Sequence, residues 1–174
     1  MTIRRAVAAL GIAALAGCAR PPAPFPPPPS GVRYIAVELP VNRTGDALVV
    51  DGPGLLQRVL KQDTVTVPDL LAEDLRKVLM QQGFSTPAPG TEGAPVLRTE
   101  IGRWEHYTAT YETVTVDVVA TLVEPASGRE LWRAARSGWV VATYDASSRR
   151  DSSLLASAAI AEALLEGWQP APAR

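Results

Sequence analysis

Residues 113–134, TVTVDVVATLVEPASGRELWRA, contain the pattern that decides the fold. From residue 113 to residue 122 an apolar side chain recurs at every second position, as expected of a β-strand with one buried face. These apolar residues are Val114, Val116, Val118, Ala120 and Leu122. The segment PASG that follows favours a tight turn, because Ser and Gly adopt turn conformations readily. The pattern therefore predicts a β-hairpin.

A third strand extends this hairpin. Val96–Tyr107 (VLRTEIGRWEHY) is predicted to be extended, and it precedes the hairpin strands Tyr111–Glu124 and Arg129–Val141. Because the connections between the three segments are short, we expect neighbouring antiparallel strands. Alternation in the middle strand indicates that one face of this meander is open to solvent.

The clearest helix is predicted over Pro68–Gly83. Pro68 suits the first helical position, and Gly83 suits the C-terminal cap. An apolar face is formed by Leu71, Leu75, Val78 and Leu79. A second helix is predicted over Asp151–Trp168, with an Asp-Ser-Ser cap signal and a buried stripe of Leu154, Ala158, Ala161, Leu165 and Trp168.

The remaining segments complete the predicted order. Val32–Leu39 indicates a first strand that ends at Pro40, Asp51–Gln62 indicates a short helix, and Asp63–Pro68 is expected to be extended. The order of strand, helix, three-strand meander and helix predicts an α+β fold. We expect one mostly antiparallel sheet with two helices packed on one face, in a single domain over residues 32–168 and a flexible tail over residues 169–174.

The N-terminus has the organisation of a targeting segment. Arg4 and Arg5 precede the apolar stretch AVAALGIAALAG, which has the length of a signal-peptide core. Residues 15–18, LAGC, resemble the bacterial lipobox, and Cys18 is the only cysteine. The resemblance implies that residues 1–17 are a signal peptide and that Cys18 is lipidated, which makes the membrane a partner of the chain. Ala19, where Asp would cause retention at the inner membrane, implies the outer membrane.

Residues 18–31 are predicted to be the lipidated Cys18 followed by a proline-rich linker. Seven of the nine residues from Pro21 to Pro29 are proline, which favours polyproline II structure. Such a spacer would hold the body up to about 35 Å from the lipid surface. A ligand for a proline-reading domain is the alternative interpretation.

Composition argues against several kinds of site. The formal net charge is −1, and without the leader 15 basic residues remain against 18 acidic ones, so nucleic acid is not an expected partner. One cysteine and one histidine cannot form a structural zinc site. The segment DGPG lacks the Lys of a phosphate loop. We therefore expect neither a metal nor a cofactor.

His106, beside Glu105, is the one place suited to general acid–base chemistry. No serine or cysteine lies in a recognisable nucleophile motif, so the sequence favours a protein that is not an enzyme. Trp132 and Trp168 lie in periodic elements and are expected in the core. Four arginines on neighbouring strands are expected to form ion pairs across the sheet: Arg98, Arg103, Arg133 and Arg136.

Three stretches together resemble a known family: VLRTEIGRWE, TVTVDVVATLVEPASGRELWRA and the Ala- and Leu-rich C-terminal helix. They are similar to small envelope lipoproteins whose hairpin reads D-x-x-[ST]-G-[KR]-x-L-W. The family is the meningococcal-type antigen lipoproteins, with a fold similar to the N-terminal domain of TolB, and more distantly the auxiliary lipoproteins of ABC transporters. Gly128, Leu131 and Trp132 match the motif, whereas Glu124-Pro125 stands where an Asp commonly begins the turn. The resemblance implies no catalytic residue.

These observations favour a non-enzymatic outer-membrane lipoprotein that faces the periplasm. It would act as an envelope assembly or transport accessory by contact with a protein of unknown identity, through strand addition at a sheet edge or as a homo-oligomer formed through the sheet. An auxiliary subunit of an ABC-type lipid or solute transporter is the first alternative. An envelope hydrolase using His106 is the second.

Overall fold

The three meander strands are the longest part of the sheet in the computed structural model, which describes residues 25–26, 30–51, 64–108, 112–144, 146 and 148–172. Cys18 and the signal-peptide segment lie outside the described residues, and so does the short helix predicted over Asp51–Gln62, except for Asp51. In chain order the elements are strands β1 (Ala36–Val37), β2 (Val41–Asn42), β3 (Val49–Asp51) and β4 (Val65–Thr66), helix α1 (Val67–Gln81), strands β5 (Val96–Thr108), β6 (Glu112–Glu124) and β7 (Arg129–Thr143), and helix α2 (Arg149–Leu164).

The α+β prediction is confirmed by the topology of the main sheet. Its order is β1-β5-β6-β7, and β2 also pairs with β5. The meander β5-β6-β7 is antiparallel, whereas β1 and β2 run parallel to β5. The described parts of β3 and β4 form a separate antiparallel pair.

The first strand differs from the prediction. Within Val32–Leu39 only Ala36 and Val37 are in a strand, but pairing with β5 resumes after Pro40 at Val41 and Asn42. Proline has no N–H to give to the ladder, so it interrupts the strand without ending it.

Helix α1 follows its predicted pattern closely. Thr66 caps its N-terminus through a reciprocal capping box with Asp69, whose Oδ2 accepts from the Thr66 N–H at 2.9 Å. Pro68 is the second helical residue and not the first, because Val67 already has helical geometry. Gly83 has a φ of +93°, the conformation that favours glycine after a helix. The predicted apolar face is buried.

Helix α2 begins earlier than predicted, and its first turns bury residues other than those predicted. Ser148 is its N-cap, so the Asp-Ser-Ser signal lies inside the first turns. Leu154, placed on the buried stripe by the sequence, is 40% exposed, and Ala158 is only half-buried. The buried residues of the helix are Ser152, Ser153, Ala156, Ser157, Ile160, Ala161 and Leu164. The predicted stripe is thus confirmed at Ala161, Leu165 and Trp168 and wrong at Leu154 and Ala158. It failed in the first turns because hydroxyl groups with hydrogen-bond partners can be buried at little cost.

The core lies between the two helices and one face of the sheet. The predicted alternation in β6 is confirmed, since its apolar set is at most 2% exposed. Trp132 and Trp168 are also buried, with their rings in an edge-to-face pair 4.9 Å apart. Residues 169–172, part of the expected tail, return to the start of the domain, where the Ala171 N–H donates to the carbonyl of Val32 at 2.9 Å.

The opposite face of the sheet is open and charged. Arg98 pairs with Glu38 at 3.0 Å, and Arg103 lies 3.8 Å from Asp117. Arg133 pairs with Glu130 along its own strand at 3.7 Å. Arg98 and Arg103 therefore form the expected ion pairs across the sheet, whereas the ion pair of Arg133 lies within its own strand.

Candidate functional site

Two parts of the described structure carry groups with functional chemistry. The first is the His106 cluster, which comprises His106, Glu112, Ser152 and Ser153. The second is the β7 rim, which we define as Trp132, Arg136 and Trp139 together with the strand between them.

The His106 cluster joins the ends of β5 and β6 to the first turns of α2. The Nδ1 atom of His106 lies 2.9 Å from Ser152 Oγ, and its Nε2 atom lies 3.2 Å from Ser153 Oγ. Ser152 Oγ is also 3.1 Å from Glu112 Oε2. The His106 and Glu112 side chains are 17% and 16% exposed, so these hydrogen bonds lie largely away from water.

The pattern of partners assigns the protons. A carboxylate is the stronger acceptor, so the Ser152 hydroxyl donates to Glu112 and accepts from the His106 Nδ1–H. Nε2 then accepts from the Ser153 hydroxyl, and the imidazole is neutral. Burial lowers the pKa of His106 below its ordinary 6.5; Glu112 opposes this shift and Arg149 adds to it. The neutral ring is therefore the stable form in the fold.

This cluster does not have the geometry of a catalytic triad. A triad requires the acid on Nδ1 of the histidine, but here Ser152 lies between them and Glu112 Oε2 is 3.9 Å from Nδ1. Ser152 and Ser153 are 0% and 3% exposed. The adjoining cavity has a volume of about 160 Å³, below the roughly 300 Å³ at which ligand pockets begin. The arrangement suits a structural clamp.

Glu105, the sequence neighbour of His106, does not join this cluster. Neighbouring residues of a strand point to opposite faces, so Glu105 lies on the open face, 3.8 Å from Arg103. The sequence missed Glu112, Ser152 and Ser153 as partners, because only the packing of α2 brings the two serines to the histidine.

The β7 rim is shaped by a bulge at Ser137 and Gly138. Arg136 pairs with Val118 and Trp139 pairs with Val116, so two residues of β7, Ser137 and Gly138, lie opposite the single residue Asp117. Val116 and Val118 are buried, so their partners Trp139 and Arg136 both lie on the helix side of the sheet. Trp139 does so only because the bulge shifts the alternation of β7 by one residue. Arg136 therefore lies on the other face of the sheet from Arg133, and not on the open face where the ion pairs were expected.

Asp117 stabilises the bulge from the neighbouring strand. Its Oδ1 accepts from the Gly138 N–H and from the Ser137 hydroxyl. The hydrogen bond from Gly138 lowers the pKa of Asp117, and Ser137 and Arg103 act in the same direction, against a smaller effect of burial. Gly138 has a φ of +62°, which a residue with a side chain adopts only with strain. The bulge therefore depends on both residues.

Two residues of the proline-rich linker lie against the rim. The Phe25 and Trp139 rings form an edge-to-face pair with centroids 6.3 Å apart, and the Arg136 guanidinium lies 4.2 Å from the Phe25 centroid. The Trp132 Nε1–H donates to the carbonyl of Pro26 at 2.9 Å. A cavity of about 630 Å³ lies between these linker residues and residues 133–140.

The outer edge of β7 is the long unpaired edge of the sheet. β7 has 15 residues and pairs with β6 on one side only. In the described ranges, no other strand hydrogen-bonds to its second edge. Val140 on this strand is 57% exposed. Such an edge is a template for pairing with another chain.

Two further kinds of site are not found where the structure is described. No group of three or more His, Cys, Asp or Glu side chains is placed to hold a metal ion there. No described helix has the length and apolar character needed to cross a membrane.

Comparison with known proteins gives matches at the level of structure alone. No family model matches the chain, and no curated protein matches it in sequence. The PelC dodecamer from Paraburkholderia phytofirmans matches with a TM-score of 0.51 and 16% identity, over 84% of this chain and 96% of the PelC chain. Lipoprotein GNA1162 from Neisseria meningitidis matches with a TM-score of 0.45 and 16% identity, over 74% of this chain and 95% of that one. The PelC likeness shows a shared fold.

Proposed function

We propose that this chain is a non-enzymatic lipoprotein of the outer membrane that faces the periplasm and acts as an assembly or transport accessory by protein contact. The observation that carries the proposal is the unpaired outer edge of β7. A free strand of this length forms main-chain hydrogen bonds with an incoming strand, and its exposed side chains select the partner.

Anchoring through Cys18 is the part of the proposal that rests on the sequence. A charged and apolar leader, LAGC and a proline-rich segment follow one another in the order that a lipidated N-terminus requires. Each buried CH₂ of an acyl chain contributes about 0.8 kcal/mol, so two or three chains hold a protein on a bilayer almost permanently. The body is then restricted to the membrane surface, where its partners are concentrated.

A homo-oligomer is the simplest partner arrangement for this edge. The PelC structure, which shares the fold, is a dodecamer. Rings form when one surface of a subunit binds a different surface of the next. The outer edge of β7 supplies one of these surfaces, and its open-face side chains, such as Val140, are exposed.

The His106 cluster supports a role without catalysis. His106, Ser152 and Ser153 hold α2 against the sheet, and both hydroxyls are buried. A nucleophile must contact its substrate, so a buried serine beside a small cavity is unsuited to hydrolysis.

The mass of the particle formed by the protein after extraction with detergent tests whether the chain forms a homo-oligomer. We expect a mass of several subunits for the wild type by sedimentation, and a smaller mass for Val140→Lys, since lysine on an edge strand opposes pairing. Met80→Lys is the matched control, because Met80 is 61% exposed on α1. A wild type that sediments as a single subunit at all concentrations would contradict the oligomer.

A further inference from the structure

The contacts of Phe25 and Pro26 do not fit a free spacer. Three independent contacts hold these two residues: the ring pair with Trp139, the Arg136 guanidinium over Phe25, and the hydrogen bond from Trp132. The three groups come from one strand, and they surround one short stretch of the linker.

The chemistry of this surface is that of proline recognition. Proline-rich segments bind in aromatic grooves, because their polyproline II form is already extended and loses little entropy. A proline offers a carbonyl oxygen but no N–H, so its receptor must be a donor. The Trp132 indole is a donor only, and it lies 2.9 Å from the Pro26 carbonyl.

The receptor side is held in place by contacts that do not involve the linker. Trp132 is 5% exposed, and its ring is fixed against Trp168. Asp117 holds the bulge that brings Trp139 beside Arg136, with the guanidinium 5.1 Å from the Trp139 centroid. A preorganised site loses little conformational freedom on binding.

We infer that the β7 rim is a binding site for an extended Phe-Pro segment, and that its occupant is the linker of the same chain. Only residues 27–31 separate Pro26 from the start of the domain at Val32. A connection this short gives the segment a local concentration on the order of millimolar, which favours the chain's own linker over a free one.

Docking shortens the tether. Five residues of the spacer, from Arg20 to Pro24, are left before the docked phenylalanine. At about 3.1 Å per residue they span about 16 Å, compared with about 35 Å for the whole spacer from Arg20 to Gly31. This consequence rests on the proposed lipidation of Cys18, whereas the docking itself does not. The anchored body would then have its β7 rim on the membrane side.

Indole N–H signals in NMR spectra of the unlipidated chain test the docking directly. In Phe25→Ala we expect the Trp132 indole proton to exchange with solvent about tenfold faster, because the ring and cation–π contacts are lost. Phe25→Tyr keeps the ring and should behave as the wild type. Trp132→Phe identifies the signal. Because Phe25 lies outside the helices and strands, the fold should persist in these variants.

A peptide added in trans completes the test. PFPPPP, the sequence of residues 24–29, should restore the Trp132 signal in the Phe25→Ala chain, and PAPPPP should not. The wild type should ignore both peptides, since its site is occupied. Equal exchange rates of the Trp132 indole proton in the wild type and in Phe25→Ala would overturn the proposal. So would an exchange rate in Phe25→Ala that does not change when PFPPPP is added. Wild-type exchange that slows as the protein is concentrated would also overturn it, since the occupant would then be another copy's linker.

Discussion

The Ser157 hydroxyl of α2 donates to Asp74 Oδ2 of α1 at 2.6 Å, and so joins the two helices through a side chain that is 0% exposed. The two residues are 83 positions apart in the sequence. It explains why a helix that packs on a core can carry serines on its buried face.

Replacing Ser157 should therefore destabilise the fold. We expect Ser157→Val to lower the free energy of unfolding by about 1–3 kcal/mol, because Asp74 would lose its partner and a branched side chain would enter a packed site. Urea unfolding measures the change. Leu155→Ala is the control on the same helix, where Leu155 is 42% exposed, and it should change stability by less than about 0.5 kcal/mol. Equal effects of the two substitutions would show that the helix contact contributes nothing.

His106 should make the stability depend on pH. Because burial lowers its pKa in the folded state, the unfolded chain binds the proton more readily. The neutral ring therefore contributes fully to the stability of the fold above 6.5, the pKa of His106 in the unfolded chain. This contribution is lost as the pH falls through the lower pKa that His106 has in the folded state. Thermal unfolding of the wild type should therefore show a falling stability between about pH 7 and about pH 5, a range that brackets the ordinary histidine pKa. His106→Gln should lack this component of the pH dependence, and identical pH profiles would rule out the clamp.

The bulge of β7 should depend on Asp117. Asp117→Ala removes the acceptor of the Gly138 N–H and the Ser137 hydroxyl, and we expect a loss of about 1–2 kcal/mol in unfolding free energy. Since the bulge places Trp139 beside Phe25, the environment of the Trp139 indole should change too. Glu130→Ala, which removes an exposed ion pair on the same strand, is the control and should have little effect. An unchanged Trp139 signal in Asp117→Ala would show that the bulge persists without its carboxylate.

Lipidation of Cys18 should determine where the protein is found. We expect the wild type to stay with membranes after a high-salt wash, and Cys18→Ser to be released, because the acyl chains would be absent. Cell fractionation with immunoblotting measures the distribution. A Cys18→Ser protein that remains with the membranes after the wash would refute the anchor.

The sequence predicted those elements in which one buried face is wholly apolar. The alternation in β6 and the Leu face of α1 satisfy this condition, and both were confirmed. In α2 the buried face includes Ser152, Ser153 and Ser157, so a search for an apolar stripe selected Leu154, which is exposed. Periodicity reports hydrophobic burial and cannot report hydrogen bonds made with distant residues.

The two candidate sites show the same limit. The sequence directs attention to His106, but the two serines that contact it lie 46 and 47 residues away in α2, and no local pattern links them to it. At the β7 rim the Ser-Gly pair was the available signal of a bulge, since an isolated glycine inside a strand suggests one. Without the bulge, strict alternation would separate Arg136 from Trp139, which the structure brings together over Phe25.

Photo-crosslinking in intact cells tests the central claim, contact with another protein through the outer edge of β7. A benzoyl-phenylalanine in place of Val140 should give a crosslinked species, with the mass of two or more subunits if the partner is a second copy. The same residue in place of Met80, which is 61% exposed on α1, should not. If position 140 gives no more crosslinked product than position 80, the β7 edge is not the contact surface and the proposed function fails.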